Sequence, residues 1–179
     1  MRIITGKYGG RKINPPSKMP YTRPTTDIAK EGLFNIIENN ISIPGIKTLD
    51  IFGGTGSISY ELASRGATEL TIVEKDPKMY EFIKNKIAEL KIENCSVVKK
   101  DVFRFLENCR ETYDLIFAGP PYALKNIDGL PEIIREKKLL KKKGWFILEH
   151  TPANNYENEL LFKAMRNYGT TIFSIFVNN

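Results

Sequence analysis

Residues 47–66, KTLDIFGGTGSISYELASRG, decide the fold. An apolar-rich run carrying Asp50 and ending in Ile51-Phe52 meets Gly53, Gly54 and Gly56, and then a short amphipathic segment stopped by Gly66. This predicts a strand over 47–52, a tight loop at 53–56 and a helix over 57–66, with Gly66 at the first position beyond the helix. Glycines in such a loop let the chain turn sharply and let a ligand approach the backbone.

The same unit recurs downstream. ELTIVEK (69–75) reads as a second strand. DPKMYEFIKNKIAELK (76–91) is the clearest helix, with Asp76 as N-cap, Pro77 at the first turn and Met79, Phe82, Ile83, Ile87 and Leu90 on one stripe. CSVVKKD (95–101) is a third strand, VFRFLENC a short helix and YDLIFA (113–118) a fourth strand. A helix around 129–141 and a strand WFILEH (145–150) follow. Residues 160–177 hold two β-rich pieces separated by Gly169, a hairpin pattern. Strands alternating with helices at this spacing predict an α/β, Rossmann-like fold, a mostly parallel sheet with helices on both faces.

Upstream, RIITG (2–6) and GRKI (10–13) flank Tyr8-Gly9-Gly10 as a hairpin would. NPPSKMPYTRPTTD (14–27), with four prolines, reads as a linker. Thr26 or Asp27 caps a helix over about 27–39, with Ile28, Phe34, Ile36 and Ile37 as its buried positions. Residues 1–40 thus form a basic N-terminal appendage, and residues 41–179 a single compact domain.

Bulk composition bounds the function. A chain of 179 residues, 41% hydrophobic and 27% charged, suits one globular domain. No apolar run approaches a membrane span, and the N-terminus lacks the apolar core of a signal peptide, so a cytoplasmic protein is expected. Cys95 and Cys109 form no C-x-x-C pattern and His150 is the only histidine, so reduced thiols and no metal site are expected. Lys and Arg number 27 against 21 Asp and Glu. The excess lies at the N-terminus, where Arg2, Lys7, Arg11, Lys12, Lys18, Arg23 and Lys30 face only Asp27, which is compatible with a nucleic-acid partner. The run from Lys137-Lys138 to Lys141-Lys142-Lys143 reads as structural, favoured by a helix C-terminus.

In a doubly wound sheet, ligands bind beyond the carboxyl ends of the strands. Those ends carry Asp50 and the glycine loop, then Glu74, then Asp101-Val102, then Gly119-Pro120-Pro121-Tyr122. Glu74 is placed to accept from a ribose diol. Asp101 also fits as a cap of the helix that follows. Together the four ends indicate a nucleoside-type ligand. A dinucleotide site wants a third glycine where Ser59 stands, and no Walker lysine follows the loop. Asp50 would repel a pyrophosphate and suits a cation such as the amino end of S-adenosylmethionine.

"LDIFGGTGSIS", "VEKD", "KKDVFRFL" and "DLIFAGPPYAL", in this order, resemble the motifs of class I S-adenosylmethionine-dependent methyltransferases. "RIITGKYGGRKI" and "RPTTDIAKEGLFNII" narrow the resemblance to the bacterial family that methylates the exocyclic N2 of a guanine in 16S ribosomal RNA. The resemblance implies a seven-stranded sheet whose last two strands form a hairpin. It implies that Asp50, Phe52, Gly53, Gly54 and Gly56 shape the methionine part of the cofactor site, that Glu74, with Lys75 beside it, binds the ribose, and that Asp101 and Val102 hold the adenine edge. Lys7, Arg11, Lys12 and Arg23 would contact RNA phosphates, and the substrate would be 16S RNA or an assembling small subunit. A monomer is expected.

The resemblance also gives the Gly119-Pro120-Pro121-Tyr122 turn a role. In exocyclic-amine methyltransferases the motif is Asp/Asn-Pro-Pro-Tyr/Phe. A side-chain acceptor and the first proline's carbonyl take hydrogen bonds from the amine, and the ring stacks on an exposed or flipped base. Transfer is then direct displacement at the methyl group, without a metal. Position 119 is glycine, so the side-chain acceptor is missing, and slow or absent methyl transfer with cofactor binding retained is the expectation. A non-catalytic RNA-binding or assembly protein is the alternative that Gly119 favours; a DNA adenine-N6 methyltransferase is a further one, with little chain left for a target-recognition region. Trp145 reads as core, His150 as a satisfied structural histidine, and Tyr8 and Tyr21 as loop tyrosines.

Overall fold

The computed structural model describes residues 1–16 and 25–179. Among them, seven strands form one sheet: β1 (Lys47–Asp50), β2 (Glu69–Glu74), β3 (Cys95–Lys99), β4 (Tyr113–Ala118), β5 (Leu140–His150), β6 (Phe162–Tyr168) and β7 (Thr171–Val177), in the order β3-β2-β1-β4-β5-β7-β6. β1 to β5 run parallel, and β7 is antiparallel to both β5 and β6. The C-terminal hairpin is as the sequence pattern predicts, and the seven-stranded α/β sheet is as the resemblance implies. The chain starts at β1, moves out to β3 and returns to β4 on the other side of β1. The strand order therefore reverses between β1 and β4, where a crevice opens above the strand ends.

Among the described residues, five α-helices cover the sheet: α1 (Asp27–Glu38), α2 (Ser57–Ser64), α3 (Pro77–Leu90), α4 (Val102–Asn108) and α5 (Leu130–Glu136). On one face, Leu106 of α4 and Leu130 and Ile134 of α5 pack on Leu49, Ile116, Phe146 and Leu148. On the other, Leu33, Phe34 and Ile37 of α1 and Ile58 and Leu62 of α2 pack on Leu115, Phe117 and Ile147. Each fully buried side chain of this kind contributes about 1.5–3 kcal/mol. α3 lays Ile83, Ile87 and Leu90 against Tyr60, Ile72 and the N-terminal residues Ile3, Tyr8 and Ile13. Local signals hold here: Asp76 Oδ1 accepts from the amides of Lys78 and Met79 at 2.9 Å, and the Thr26 hydroxyl caps α1 by accepting from Ala29 N at 3.2 Å.

Four details differ from expectation. The helix expected over 129–141 ends at Glu136, and Lys138 turns the chain at a left-handed φ of 53°. Leu139 and Leu140 then drop into the core, so Leu140 starts β5 opposite Tyr113, and a register shift between Tyr113 and Leu115 bulges the lysines outward. Lys141–Lys143 are therefore exposed strand residues, Lys141 Nζ lying 2.7 Å from Asp114. Ile28 is 77% exposed, because the buried stripe of α1 runs through Ala29, Leu33, Phe34 and Ile37. The N-terminal hairpin itself forms as expected, with an antiparallel bridge from Arg2 to Lys12 and Ile3 N donating to Arg11 O at 3.0 Å. Tyr8 within it, expected as a loop tyrosine, is instead buried, with its hydroxyl donating to Lys91 O at 3.4 Å.

A buried polar cluster fastens the N-terminal residues to α2. Glu61 Oε2 lies 3.5 Å from Lys30 Nζ, with side chains 0% and 1% exposed. Glu61 also accepts from the amides of Ile4 (2.8 Å) and Thr5 (3.2 Å) and from Arg65 Nε (2.9 Å). Lys30 donates to Arg2 O and to Ser57 Oγ. Burial draws the Lys30 ammonium below the ordinary lysine range, against the pull of Glu61.

Candidate active site

Two adjoining hollows lie beyond the ends of β1, β2, β4 and β5. The larger, about 550 Å³, is lined by Phe52, Gly54, Glu74, Lys75, Asp101, Val102 and Phe103, among others, and reaches Gly119 and Pro121. That is the size of a small-molecule site. The smaller is lined by Asp50, Gly53, Thr55, Phe117, Pro120, Tyr122, Thr25 and Glu149. Phe52, Gly54, Gly119 and Pro121 border both, so the glycine loop and the proline turn form the shared wall.

The loop is shaped by close approach. A Cβ on Gly53 would stand 2.7 Å from Ile72 Cγ2, while Gly53 N donates to Val73 O at 2.8 Å, pinning the loop to β2. Gly56 adopts φ +77° as the residue that starts α2, and a Cβ there would meet the Tyr60 ring at 2.4 Å. Gly56 borders neither hollow; it sets the turn.

Three of the carboxylates that border the two hollows are raised by burial, Asp50 and Glu149 on the smaller and Glu74 on the larger. Asp50, 3% exposed, accepts from Ser59 Oγ at 2.9 Å and from Phe52 N at 3.3 Å. Burial pushes its carboxyl up to about 7, opposed by those two hydrogen bonds and reinforced by the charges of Glu74 and Glu149. Glu74 is raised by burial too; Oε2 accepts from Gly54 N and Oε1 from Asp76 N, each at 2.7 Å. Glu74 thus braces the glycine loop as well as facing the cleft. Glu149, at the end of β5, is raised by burial and lowered by the Thr25 hydroxyl, which donates to Oε2 at 2.7 Å. Asp50 on the smaller hollow and Glu74 on the larger are the carboxylates that would hold the α-ammonium and the ribose hydroxyls of S-adenosylmethionine.

Asp101 caps α4, accepting from Phe103 N at 3.0 Å, and also borders the cleft. Lys75 is exposed at the rim. Tyr122 is 44% exposed beside Pro120 and Pro121, open to an incoming ring. Lys7, Arg11 and Lys12 are exposed, and Lys7 Nζ and Arg11 Cζ lie 5.3 and 5.5 Å from the Tyr8 ring centre. Arg23 and Tyr21 lie outside the described residues. His150 is fully engaged: its Nδ1 bonds Thr151 O and its Nε2 bonds Ser174 Oγ, both at 2.8 Å. Since a carbonyl only accepts, Nδ1 carries the proton and Nε2 accepts from Ser174; burial lowers the ring's proton affinity. Trp145 is buried, as expected of core. Glu149 is the residue that sequence reasoning passed over; an acid closing the strand after the proline turn was its visible signal. Among the described residues, no group of three or more His, Cys, Asp or Glu is arranged to hold a metal ion, and no helix is long and apolar enough to cross a membrane.

The family described as conserved hypothetical protein 95 matches residues 1–177. The Escherichia coli K12 protein named ribosomal RNA small subunit methyltransferase D is 34% identical over 145 residues, covering 81% of this chain and 69% of that one. Among solved structures, a hypothetical protein of Thermus thermophilus, TTHA0928, superposes with a TM-score of 0.85 at 26% identity, covering 98% of each chain. The T. thermophilus 16S rRNA N2 G1207 methyltransferase, solved with AdoMet and guanosine, shares the fold at a TM-score of 0.69 and 19% identity, over 87% of this chain and 44% of that one.

Proposed function

The chain belongs to the conserved hypothetical protein 95 family and is an S-adenosylmethionine-dependent rRNA methyltransferase; we propose that its acceptor is the exocyclic N2 amine of a guanine in 16S ribosomal RNA. We further propose that it works as a cytoplasmic monomer on assembling small subunits. The observation that carries the reading is the shared wall: the Gly119-Pro120-Pro121-Tyr122 turn borders both the glycine-loop cleft and the smaller hollow, where a base would meet the cofactor.

When bound, S-adenosylmethionine supplies an electrophilic methyl group. The chain's residues do the rest by position. Asp50 and the glycine loop hold the amino-acid end, Glu74 the ribose, and Asp101 with Val102 the adenine edge. Tyr122 stacks on the base, and the Pro120 carbonyl, stiffened between two prolines, takes one N–H of the amine. That bond directs the nitrogen lone pair, otherwise delocalised into the ring, toward the methyl carbon. Lys7, Arg11 and Lys12 bind phosphates and set the RNA's register without reading bases. Residues 1–40 serve the RNA and residues 41–179 the cofactor. Incubating the chain with methyl-labelled S-adenosylmethionine and under-methylated small subunits, then digesting to nucleosides, is expected to give N2-methylguanosine. Label on another nucleoside, or none, overturns the reading.

A further inference from the structure

We propose that Glu149 is the side-chain acceptor for the amine that is methylated, supplying from β5 the carboxylate that position 119 lacks. The proposal rests on the reading of the chain as an exocyclic-amine methyltransferase. The register of β4 and β5 pairs Ala118 with Leu148, so the next residues, Gly119 and Glu149, lie side by side at the strand ends. Strand alternation puts Glu149 on the face of Ile147, the face on which Phe117 packs. A Cβ built on Gly119 would stand 3.5 Å from Glu149 Oε2. An aspartate there would extend its carboxylate one bond past that Cβ, into the neighbourhood that the Glu149 carboxylate already occupies.

Glu149 is 5% exposed and borders the same hollow as Pro120 and Tyr122. Its orientation is fixed by the Thr25 hydroxyl at 2.7 Å. A carboxylate offers about four lone-pair sites, so the Thr25 bond leaves room for an amine N–H. In the reaction, the nitrogen lone pair forms the N–C bond. The C–S bond breaks with its pair left on sulfur. The proton shed by nitrogen passes to the Glu149 carboxylate, raised toward protonation by burial, and then to water. Gly119 is then the counterpart of Glu149: a second carboxylate so close would repel the first.

The test separates the acceptor from the choice of base. Chain saturated with S-adenosylhomocysteine is titrated with guanosine and with inosine, which lacks the N2 amine, and with adenosine and purine riboside, which differ by the N6 amine. Wild type is expected to bind guanosine about tenfold more tightly than inosine. Glu149→Ala removes that difference while S-adenosylhomocysteine still saturates the chain, and Glu149→Ala with Gly119→Asp restores it. If Glu149→Ala does not fold, Glu149→Gln keeps the size, removes the charge and shrinks the difference. Methyl transfer follows the same order, and Gly119→Asp alone brings no gain. Discrimination that survives loss of Glu149, discrimination in neither pair, or a tenfold gain from Gly119→Asp alone overturns the proposal. Glu149-dependent preference for adenosine over purine riboside upholds Glu149 and overturns the guanine reading.

Discussion

Burial holds Asp50 in a state that a cationic ligand should relieve. Its carboxyl stands at about 7 against an ordinary value of 3.8, a difference of about three pH units, or about 4 kcal/mol against ionisation. If the cofactor's ammonium needs an ionised Asp50, then Kd scales as one plus the ratio of protonated to ionised Asp50. Between about pH 7 and about pH 5.5 that ratio rises from about 1 to about 30, so binding should weaken about fifteenfold as pH falls. This range lies below the α-amino pKa of about 7.7–8.0, so the ligand stays charged throughout. Titration calorimetry with S-adenosylmethionine across the range reads the slope. Glu74 and Glu149 are raised as well, so Asp50→Asn is the needed comparison. It should bind more weakly at pH 7 and lose most of the dependence. The sign for folding runs the opposite way: from about pH 4 to about pH 7 the folded chain binds more protons at Asp50 than the unfolded chain, so Asp50 lowers stability as pH rises, and Asp50→Asn should raise the ligand-free chain's Tm at pH 8. A wild-type change below about threefold, or an equal slope in Asp50→Asn, refutes the reasoning.

Tyr122→Ala should weaken binding of the acceptor RNA by about 1–3 kcal/mol, read as a higher KM, with S-adenosylmethionine affinity unchanged by calorimetry. Lys30→Met leaves Glu61 buried with one cation fewer and should cost about 3–5 kcal/mol in urea unfolding. Replacing Lys7, Arg11 and Lys12 together by alanine should reduce the slope of log K against log salt for RNA binding by about 2–3. Thr25→Val removes the hydrogen bond that favours ionised Glu149, so the acid limb of kcat should move to higher pH in a pH–rate profile.

What was legible in the sequence is what neighbours in the chain decide. Asp76-Pro77 starts α3 and Gly66 follows α2 because caps act over three or four residues. The ordered acids at the strand ends survive because chain alternation alone sets them there. The end of α5 was not legible: Leu139 and Leu140 continue a helical period, and only burial against α5 and β4 shows that the chain turns at Lys138 instead. Tyr8 reads as a loop residue because the groove that buries it belongs to α3, far along the chain. Glu149 escaped for the same reason. Its meaning depends on β5 lying beside β4 in one register, which no local pattern encodes.

The N-terminal residues and the cofactor site act as one body because α2 joins them. Ser57, Ser59 and Glu61 alternate along this helix, and all three are buried. Ser59 holds Asp50, Ser57 meets Lys30, and Glu61 takes Lys30 together with the amides of Ile4 and Thr5. Without residues 1–13 and α1, Glu61 would keep Arg65 but lose its other partners, and the helix that presents Ser59 to Asp50 would expose a charged flank. At the far side, Thr25 ties the residue before α1's cap to Glu149. The exposed Lys7 and Arg11 thus sit on a segment joined through hydrogen bonds to the helix that holds Asp50, and Thr25 joins α1 to Glu149. The basic segment is therefore part of the wall that holds the site in place, so RNA bound by its charges, as proposed, would be positioned relative to Asp50 and Glu149 together.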